Sequence, residues 1–282
     1  MRRRVAPYFL LGPGAAWLLL FFVVPLYYLA KLSLNGGVFG SYEFSWHWAN
    51  YTDALQLYDS QFVRSFVYAG LATLFALLLA YPLAYTIAFK AGRWRNIFLF
   101  AVVAPFFTTY LIRTLAWETI LSDQSPVVSV LDALGLAPEG HVLATAGAVI
   151  AGLTYNFLPF MVLPIYASLE RIDARLIEAG KDLYASATQT FLRVTLPLSA
   201  PGVVAGTLLT FIPASGDYVN AQFLGSASNQ MIGNVIQSLY LKQSDYPAAA
   251  ALSFVLMAAI LVLVLVYIRF AGSEALMGEE AV

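Results

Sequence analysis

Cysteine is absent from the 282 residues, and only two histidines are present. Without cysteine the chain can form neither disulfides nor thiolate metal sites. The histidines, His47 and His141, stand far apart in polar segments, so we expect no metal site and interpret both as surface residues. The net charge of −1 includes no basic surplus, and we expect no nucleic-acid partner.

Charged residues are also scarce, at 11%, whereas hydrophobic residues make up 60% of the chain. A soluble domain carries about 25% charged residues. The apolar residues fall in blocks long enough to cross a bilayer, which needs about 20 residues per helix. The sequence therefore predicts an all-α integral membrane protein with six spans, at about 8–34, 63–89, 97–121, 143–168, 198–219 and 247–270.

The first of these spans follows the short basic stretch "MRRR". Its apolar run is longer than that of a signal peptide, which predicts a retained membrane anchor. We assign residues 1–62 to this anchor and the first extracytoplasmic loop. Residues 63–282 form the transmembrane core.

Lysine and arginine are distributed unequally between the two sides of the predicted spans. Eleven of the 15 fall at the N-terminus, in the 90–95 and 169–197 loops, or at the end of span 6. Cytoplasmic segments carry the excess of basic residues in membrane proteins. We therefore expect a multi-pass protein of the bacterial cytoplasmic membrane, with both termini and the 169–197 loop in the cytoplasm.

The 169–197 loop is a polar segment between two long apolar runs. Its apolar residues recur at helical spacing, and its four acidic and four basic residues balance. An amphipathic helix that lies on a lipid surface is usually basic. A balanced helix with one apolar face fits a groove on a partner protein better, although a membrane-surface helix remains the alternative. Ser186 is placed to cap a second short helix, which Pro197 would end.

The loop also resembles the coupling segment of the permeases of ABC importers. That segment reads Glu-Ala-Ala, three residues, Gly, nine residues, Ile-x-Leu-Pro, and this chain has "EAG", "KDL", Tyr184, nine residues and "VTLP". Two positions depart, because Gly180 replaces the second alanine and Tyr184 replaces a glycine that permits a turn with positive φ. Either the turn differs here or Tyr184 packs on the partner. The resemblance implies ATPase-coupling roles for Glu178, Ala179, Gly180, Asp182, Leu183, Tyr184, Leu196 and Pro197.

The energy source must be another polypeptide, because the chain lacks the nucleotide-binding pattern G-x-x-x-x-G-K-[ST]. The resemblance implies a type I ABC importer permease fold with a cytoplasmic coupling helix. It also implies a homologous second permease, two copies of an ABC ATPase that bind ATP and Mg, and an extracytoplasmic binding protein. We expect no cofactor on this chain. A membrane-embedded enzyme would need acid, base or metal residues that converge within the spans, and the sequence offers no such cluster.

Two further stretches bear on the substrate. The segments "FFTTYLIRTLAWETIL" (106–121) and "GDYVNAQFLGSASNQMIGNVIQ" (216–237) resemble the corresponding segments of polyamine permeases. This resemblance implies import of spermidine or putrescine and an extracytoplasmic polyamine-binding protein. Import of another small solute, such as ferric iron or thiamine, by the same architecture remains the alternative.

The residues of a cation pathway can be proposed from helical rise. At 1.5 Å per residue, Glu118 lies about 30 Å along span 3 and Asp217 about 28 Å along span 5, both near the outer boundary. With Trp117 and Tyr218 beside them, these carboxylates could receive ammonium groups by ion pairing and cation–π contact. Simple interfacial placement of acids and aromatic residues is the alternative.

Polar residues deeper in the spans complete the candidate pathway. Tyr110 and Trp117 share a helix face with Arg113, which we expect to act as a structural clamp because a cation would repel a polyamine. Asn156 could line the pathway or bridge helices. Small residues in span 5 favour close helix packing, and Pro213 is expected to break the helix near the outer gate.

Overall fold

The computed structural model describes residues 6–38, 40–135, 137, 140–182 and 184–271. These residues form two short antiparallel strands, β1 (Asn35–Gly36) and β2 (Glu43–Phe44), and are otherwise mainly helical. The α-helices are α1 (Ala6–Leu18), α2 (Val24–Ser33), α3 (Ala49–Leu57), α4 (Asp59–Phe89), α5 (Arg95–Val103), α6 (Tyr110–Ile120), α7 (Pro126–Ala133), α8 (Ala146–Glu170), α9 (Ala174–Asp182), α10 (Ala187–Thr190), α11 (Leu196–Ser215), α12 (Val219–Leu224), α13 (Ile232–Leu241) and α14 (Tyr246–Ala271). Single 3₁₀ turns lie at Gly92–Trp94, Ala104–Phe107 and Ala227–Asn229, and π turns at Leu19–Val23 and Phe191–Thr195.

Within the described residues, five helical stretches are long and apolar enough to cross a membrane. They are Leu11–Ser33, Asp59–Phe89, Ala146–Glu170, Ala187–Ser215 and Tyr246–Phe270. A bent pair, Gly92–Phe107 with Tyr110–Ile120, is apolar and long enough only when its two helices are taken together, as a broken span or a re-entrant loop. The all-α membrane architecture that hydropathy predicts is thereby confirmed, with the third span in two pieces.

The straight helix expected for span 3 is wrong, because its two halves meet at 96°. Pro105 lacks the N–H that would continue the helix, and Thr108 and Thr109 are extended, with ψ of 141° and 147°. The estimate that placed Glu118 about 30 Å along a straight helix therefore does not hold. The second half, α6, turns away from the direction of α5.

Proline also acts differently from expectation at both ends of span 5. The helix continues through Pro197, because a π turn precedes it in which the N–H of Leu196 donates to the carbonyl of Phe191. This wider turn accommodates the proline ring without ending the helix. Pro213 lies inside α11 and does not break it, and Thr210 and Ala214 on either side are fully buried.

Close packing of α8 against α11 depends on glycine, as the small residues of span 5 predict. A Cβ atom on Gly202 would lie 2.5 Å from the carbonyl oxygen of Pro164. One on Gly206 would lie 2.8 Å from the sulfur of Met161. The backbones of the two helices therefore approach too closely for any side chain at these positions.

The described chain forms two compact units, residues 6–59 with 235–258 and residues 60–234 with 259–271. The smaller unit contains the β1–β2 pair and a row of aromatic rings that includes Phe44, Trp46 and Trp48. In the larger unit α4 buries alanines at helical spacing, and the core around them includes α8 residues such as Leu153 and Met161. This larger unit carries both candidate functional regions.

Candidate functional site

The predicted coupling segment consists of two short helices, α9 and α10, joined by a tight turn. Glu178, Ala179 and Asp182 are exposed on α9, and Leu183 lies outside the described residues. Ser186 caps α10 as predicted: its hydroxyl accepts the N–H of Gln189, whose side chain in turn accepts the N–H of Ser186. At the end of the segment, Leu196 and Pro197 begin α11 and are also exposed.

Tyr184 occupies the left-handed position that ends α9. Its φ is 59°, and the N–H of Ala185 donates to the carbonyl of Gly180 at 3.0 Å. This is the hydrogen bond of a Schellman helix end, in which the left-handed residue is usually glycine. The positive-φ turn therefore forms despite the tyrosine, at a conformational cost of about 1–2 kcal/mol. The side chain is 97% exposed, so no contact within the described chain offsets this cost.

The glycine at position 180 is explained by the packing of α9 against α10. A Cβ atom there would lie 3.2 Å from both the methyl group and the hydroxyl of Thr190 in α10. The glycine in place of the second alanine thus lets α9 and α10 pack more closely.

An ion pair that sequence reasoning missed lies next to this segment. Arg95, at the start of α5, pairs with Glu170, at the end of α8, and its guanidinium lies 5.0 Å above the ring of Tyr166. The pair joins the start of α5 to the end of α8, where the chain enters the coupling loop. Sequence spacing gives no signal for it, because the partners are separated by two membrane crossings.

A second region is a buried hydrogen-bonded cluster centred on Asp217. The hydroxyl of Tyr110 donates to Oδ2 of Asp217 at 2.5 Å. Oδ1 accepts the backbone N–H of Asn220 at 2.8 Å and its side-chain amide at 3.2 Å. Asn156 donates to Oδ1 of Asn220 at 3.0 Å and to the hydroxyl of Thr114 at 3.5 Å. The cluster joins α6, α8 and the start of α12.

The cluster contains three of the residues singled out from sequence: Tyr110, Asn156 and Asp217. Asp217 is only 8% exposed and both of its oxygens accept protein donors, whereas Oδ1 of the buried Asn156 has no partner among the described residues. Asn156 thus bridges helices in this conformation, which was one of its two expected roles. The carboxylate is held inside the protein instead of projecting towards solvent.

The other candidate pathway residues lie outside this cluster. Trp117 is half-buried and packs on Tyr155 with ring centroids 5.3 Å apart. Glu118 is half-buried, and Tyr218 is exposed while its carbonyl accepts from Asn234 at 2.8 Å. These three residues therefore border the cluster in sequence without joining its hydrogen bonds.

Three residues of the cluster region were missed from sequence: Thr114, Asn220 and Gly152. Asn220 lies three residues after Asp217, and this is the spacing at which a carboxylate caps a helix start, so a capping search would have found it. A Cβ atom on Gly152 would lie 2.7 Å from Oδ1 of Asn220 and 2.3 Å from a methyl group of Leu224. Gly152 therefore gives the asparagine its room, and only the packing shows this.

Comparison with known proteins places most of the chain in one family. The sequence model described as "Binding-protein-dependent transport system inner membrane component" matches residues 13–273. The spermidine/putrescine transport system permease protein PotB of Haemophilus influenzae is 38% identical over 257 residues, 90% of each chain. PotB of Escherichia coli is 40% identical over 222 residues, 78% of this chain and 81% of the relative.

Solved structures share the fold at lower identity. A bacterial alginate ABC transporter, in complex with an alginate pentasaccharide-bound periplasmic protein, contains a chain that matches with a TM-score of 0.71 and 19% identity. The match covers 97% of this chain and 96% of that one. The MetNI methionine ABC transporter, in an inward-facing conformation, matches with a TM-score of 0.55 and 17% identity over 79% of this chain and 96% of that one.

Proposed function

The chain belongs to the family of inner-membrane components of binding-protein-dependent transport systems, and we propose that it is the permease subunit of an ATP-driven polyamine importer. The observation that supports this substrate is the 38–40% identity to spermidine/putrescine permeases over most of the chain. In this role the chain is not itself an enzyme. It translocates spermidine or putrescine by alternating access, with energy from a partner.

The α9–α10 segment is the proposed contact for that partner. Its exposed Glu178, Ala179 and Asp182 meet the ABC ATPase, two copies of which hold ATP and Mg. Gly180 serves the segment from within, by keeping α10 close to α9. Because the helix continues through Leu196 and Pro197 into α11, a displacement of the segment reaches the membrane without an intervening flexible loop.

Tyr184 is the proposed anchor of this contact. A residue in a left-handed conformation costs free energy, and a fully exposed aromatic side chain brings no compensation within the chain. Burial of a tyrosine at a protein interface is among the larger single contributions to binding. The ATPase contact is thus the site at which the cost of the turn is offset.

The Asp217 cluster is the proposed cation site on the pathway. A carboxylate in an apolar setting attracts an ammonium group strongly, and here neutral donors from Tyr110 and Asn220 occupy it. An ammonium of the substrate would take the place of these donors when the permease opens outward, and the free Oδ1 of Asn156 offers a further acceptor. Trp117, Glu118 and Tyr218 are proposed to guide the cation towards the cluster.

The remaining proposals concern assembly and orientation. A second, homologous permease completes the pathway, and an extracytoplasmic polyamine-binding protein delivers the substrate. The chain crosses the inner membrane several times, with its termini proposed to be cytoplasmic. The excess of basic residues on that side supports this orientation.

ATPase activity of the reconstituted complex tests the proposal. The complex with its binding protein is assayed against spermidine, putrescine, ferric iron and thiamine, for wild type and Asp217→Asn. We expect stimulation by spermidine or putrescine that weakens in the variant. Stimulation by iron or thiamine alone would support the importer assignment and contradict the polyamine substrate. Polyamine stimulation that is unchanged in Asp217→Asn would contradict only the proposed cation site.

A further inference from the structure

Arg113 lies one turn after the bend of span 3 and is buried, with 9% of its surface exposed. Its guanidinium lies 4.8 Å from the centre of the Phe106 ring, before the bend, and 5.5 Å from that of Tyr110, after it. Both distances are those of cation–π contacts. Arg113 therefore clamps the two halves of the span, as its expected structural role suggests.

The two aromatic rings do not neutralise the positive charge of Arg113, and no described residue supplies an anion. Within the described residues no carboxylate oxygen lies within 4.0 Å of Arg113, and its buried Nε has no hydrogen-bond partner. Asp217 does not serve, because its oxygens accept from Tyr110 and Asn220. A guanidinium does not lose its proton in a protein, so burial cannot be relieved by neutralisation. A buried charge of this kind needs a partner, since leaving it unpaired is costly.

The structure provides room for such a partner. Arg113 lines a cavity of about 280 Å³ whose other walls are apolar, and its lining includes Leu83, Phe98, Val102, Pro105 and Tyr155. Arg113 is the charged member of this lining. The volume is enough for the end of an acidic side chain, because a single water takes up about 30 Å³.

The depth of Arg113 in the membrane limits which molecules can supply the anion. Charged side chains are rare inside the hydrocarbon, so we take the partly exposed Arg95–Glu170 pair as its edge. Helical rise then places the bend about 20 Å from Arg95. Because α6 turns by 96°, Arg113 stays near this depth, inside a hydrocarbon layer about 30 Å thick. Lipid phosphates, the ATPase and a binding protein all lie outside that layer. A polyamine is cationic and would be repelled.

We propose that a carboxylate side chain of the second permease subunit enters this cavity and pairs with Arg113. The inference rests on the proposed importer, in which another membrane-spanning chain lies beside this one. An acid on a neighbouring helix would satisfy the orphan Nε and make the bent span part of the contact between subunits. The pair specifies which permease assembles here, since a partner without the acid leaves the cation unpaired.

Photo-crosslinking in the complete complex tests the pairing without disturbing it. Phe98 lines the cavity and is 44% exposed, so p-benzoylphenylalanine at this position should form an adduct with the second permease. Phe100 is exposed on the same helix but does not line the cavity, and it serves as the control with a lower yield of that adduct. Adducts at Phe98 that contain only lipid or only the ATPase would overturn the proposal.

Substitution of the arginine gives the second test. Arg113→Gln should lower the recovery of the second permease on a tagged chain by roughly thirtyfold or more, and Arg113→Lys by less. Arg193→Gln, on an exposed arginine of the π turn, is the control and should leave recovery unchanged. The acid mapped from the adduct, changed to its amide, should match Arg113→Gln and add nothing to it in the double variant. Full recovery with Arg113→Gln, or additive losses, would refute the pair.

Failure of the Arg113 pairing and failure of the proposed function would give different results. If the importer assignment fails, no second permease is recovered on the wild-type chain and no ligand stimulates ATP hydrolysis. If only the pairing fails, the wild-type complex assembles and responds to polyamine, while the Phe98 adduct or the effect of Arg113→Gln is missing.

Discussion

The hydroxyl of Tyr110 donates a hydrogen bond of 2.5 Å to Oδ2 of Asp217, across 107 residues of sequence. It joins the first residue of α6, directly after the bend of span 3, to the turn that precedes α12. One face of the same tyrosine ring receives the Arg113 guanidinium. The ring of Tyr110 thus contacts a buried cation, and its hydroxyl binds a buried carboxylate. Tyr110 therefore links the bend of span 3 to the proposed cation site.

Removal of this hydroxyl should destabilise the protein. Tyr110→Phe leaves a buried carboxylate oxygen without its donor, and we expect a loss of about 1–3 kcal/mol. Asp217→Asn should also be destabilising, because its single amide oxygen replaces two acceptor oxygens and the NH2 group meets a donor of either Tyr110 or Asn220. Thermal unfolding of the purified complex measures both, with Tyr218→Phe as the exposed control that should change little. Equal stability of Tyr110→Phe and wild type would mean that the hydrogen bond contributes nothing.

Packing of α8 on α11 should tolerate no methyl group at Gly202. The added Cβ would lie 2.5 Å from the carbonyl oxygen of Pro164, so the helices must separate, at a cost of about 1–3 kcal/mol. Gly70→Ala is the matched control in α4, where nothing lies within 4 Å of the new atom. That control should be neutral or stabilising by up to about 1 kcal/mol, because alanine is the better helix former. Similar unfolding temperatures for the two variants would argue against the close approach.

Gly152→Ala should affect the cluster more than the fold. The new Cβ would contact the far ends of the Asn220 and Leu224 side chains, which can move. Displacement of Asn220 weakens its hydrogen bonds to Asn156 and Asp217, so we expect polyamine-stimulated ATP hydrolysis to fall several-fold. Gly147→Ala, whose Cβ meets only the Thr145 hydroxyl at 3.6 Å, provides the comparison. Unchanged stimulation in Gly152→Ala would show that the position of Asn220 does not matter for transport.

Substitution of Tyr184 separates the cost of its turn from its proposed contact. Tyr184→Gly removes the left-handed strain, and exchange of the Ala185 amide, which donates to Gly180, should slow by the equivalent of about 1 kcal/mol. Both Tyr184→Gly and Tyr184→Ala lose the ring, so ligand-stimulated ATP hydrolysis should fall in both. Only the glycine variant should show slower exchange. Wild-type ATPase rates in both variants would rule out the ring as an anchor, whatever the exchange data show.

Features that depend on neighbours along the chain were predictable. The apolar blocks gave the membrane crossings, because hydropathy is a sum over about 20 consecutive residues. The Ser186 cap followed from groups three residues apart, and the coupling segment from residues within one loop. The left-handed turn at Tyr184 was the harder local case, since the helix end prevails there over the preference of the residue.

The sequence by itself thus determined a helical membrane protein, the loop that resembles a coupling segment and the family to which the chain belongs. Tertiary structure alone decided the size of the bend in span 3, the enclosure of Asp217 by Tyr110 and Asn220, and the lack of an anion beside Arg113. The physical reason is distance along the chain. Hydropathy and capping act over one or two helical turns, whereas a buried polar group finds its partners among helices that only folding brings together.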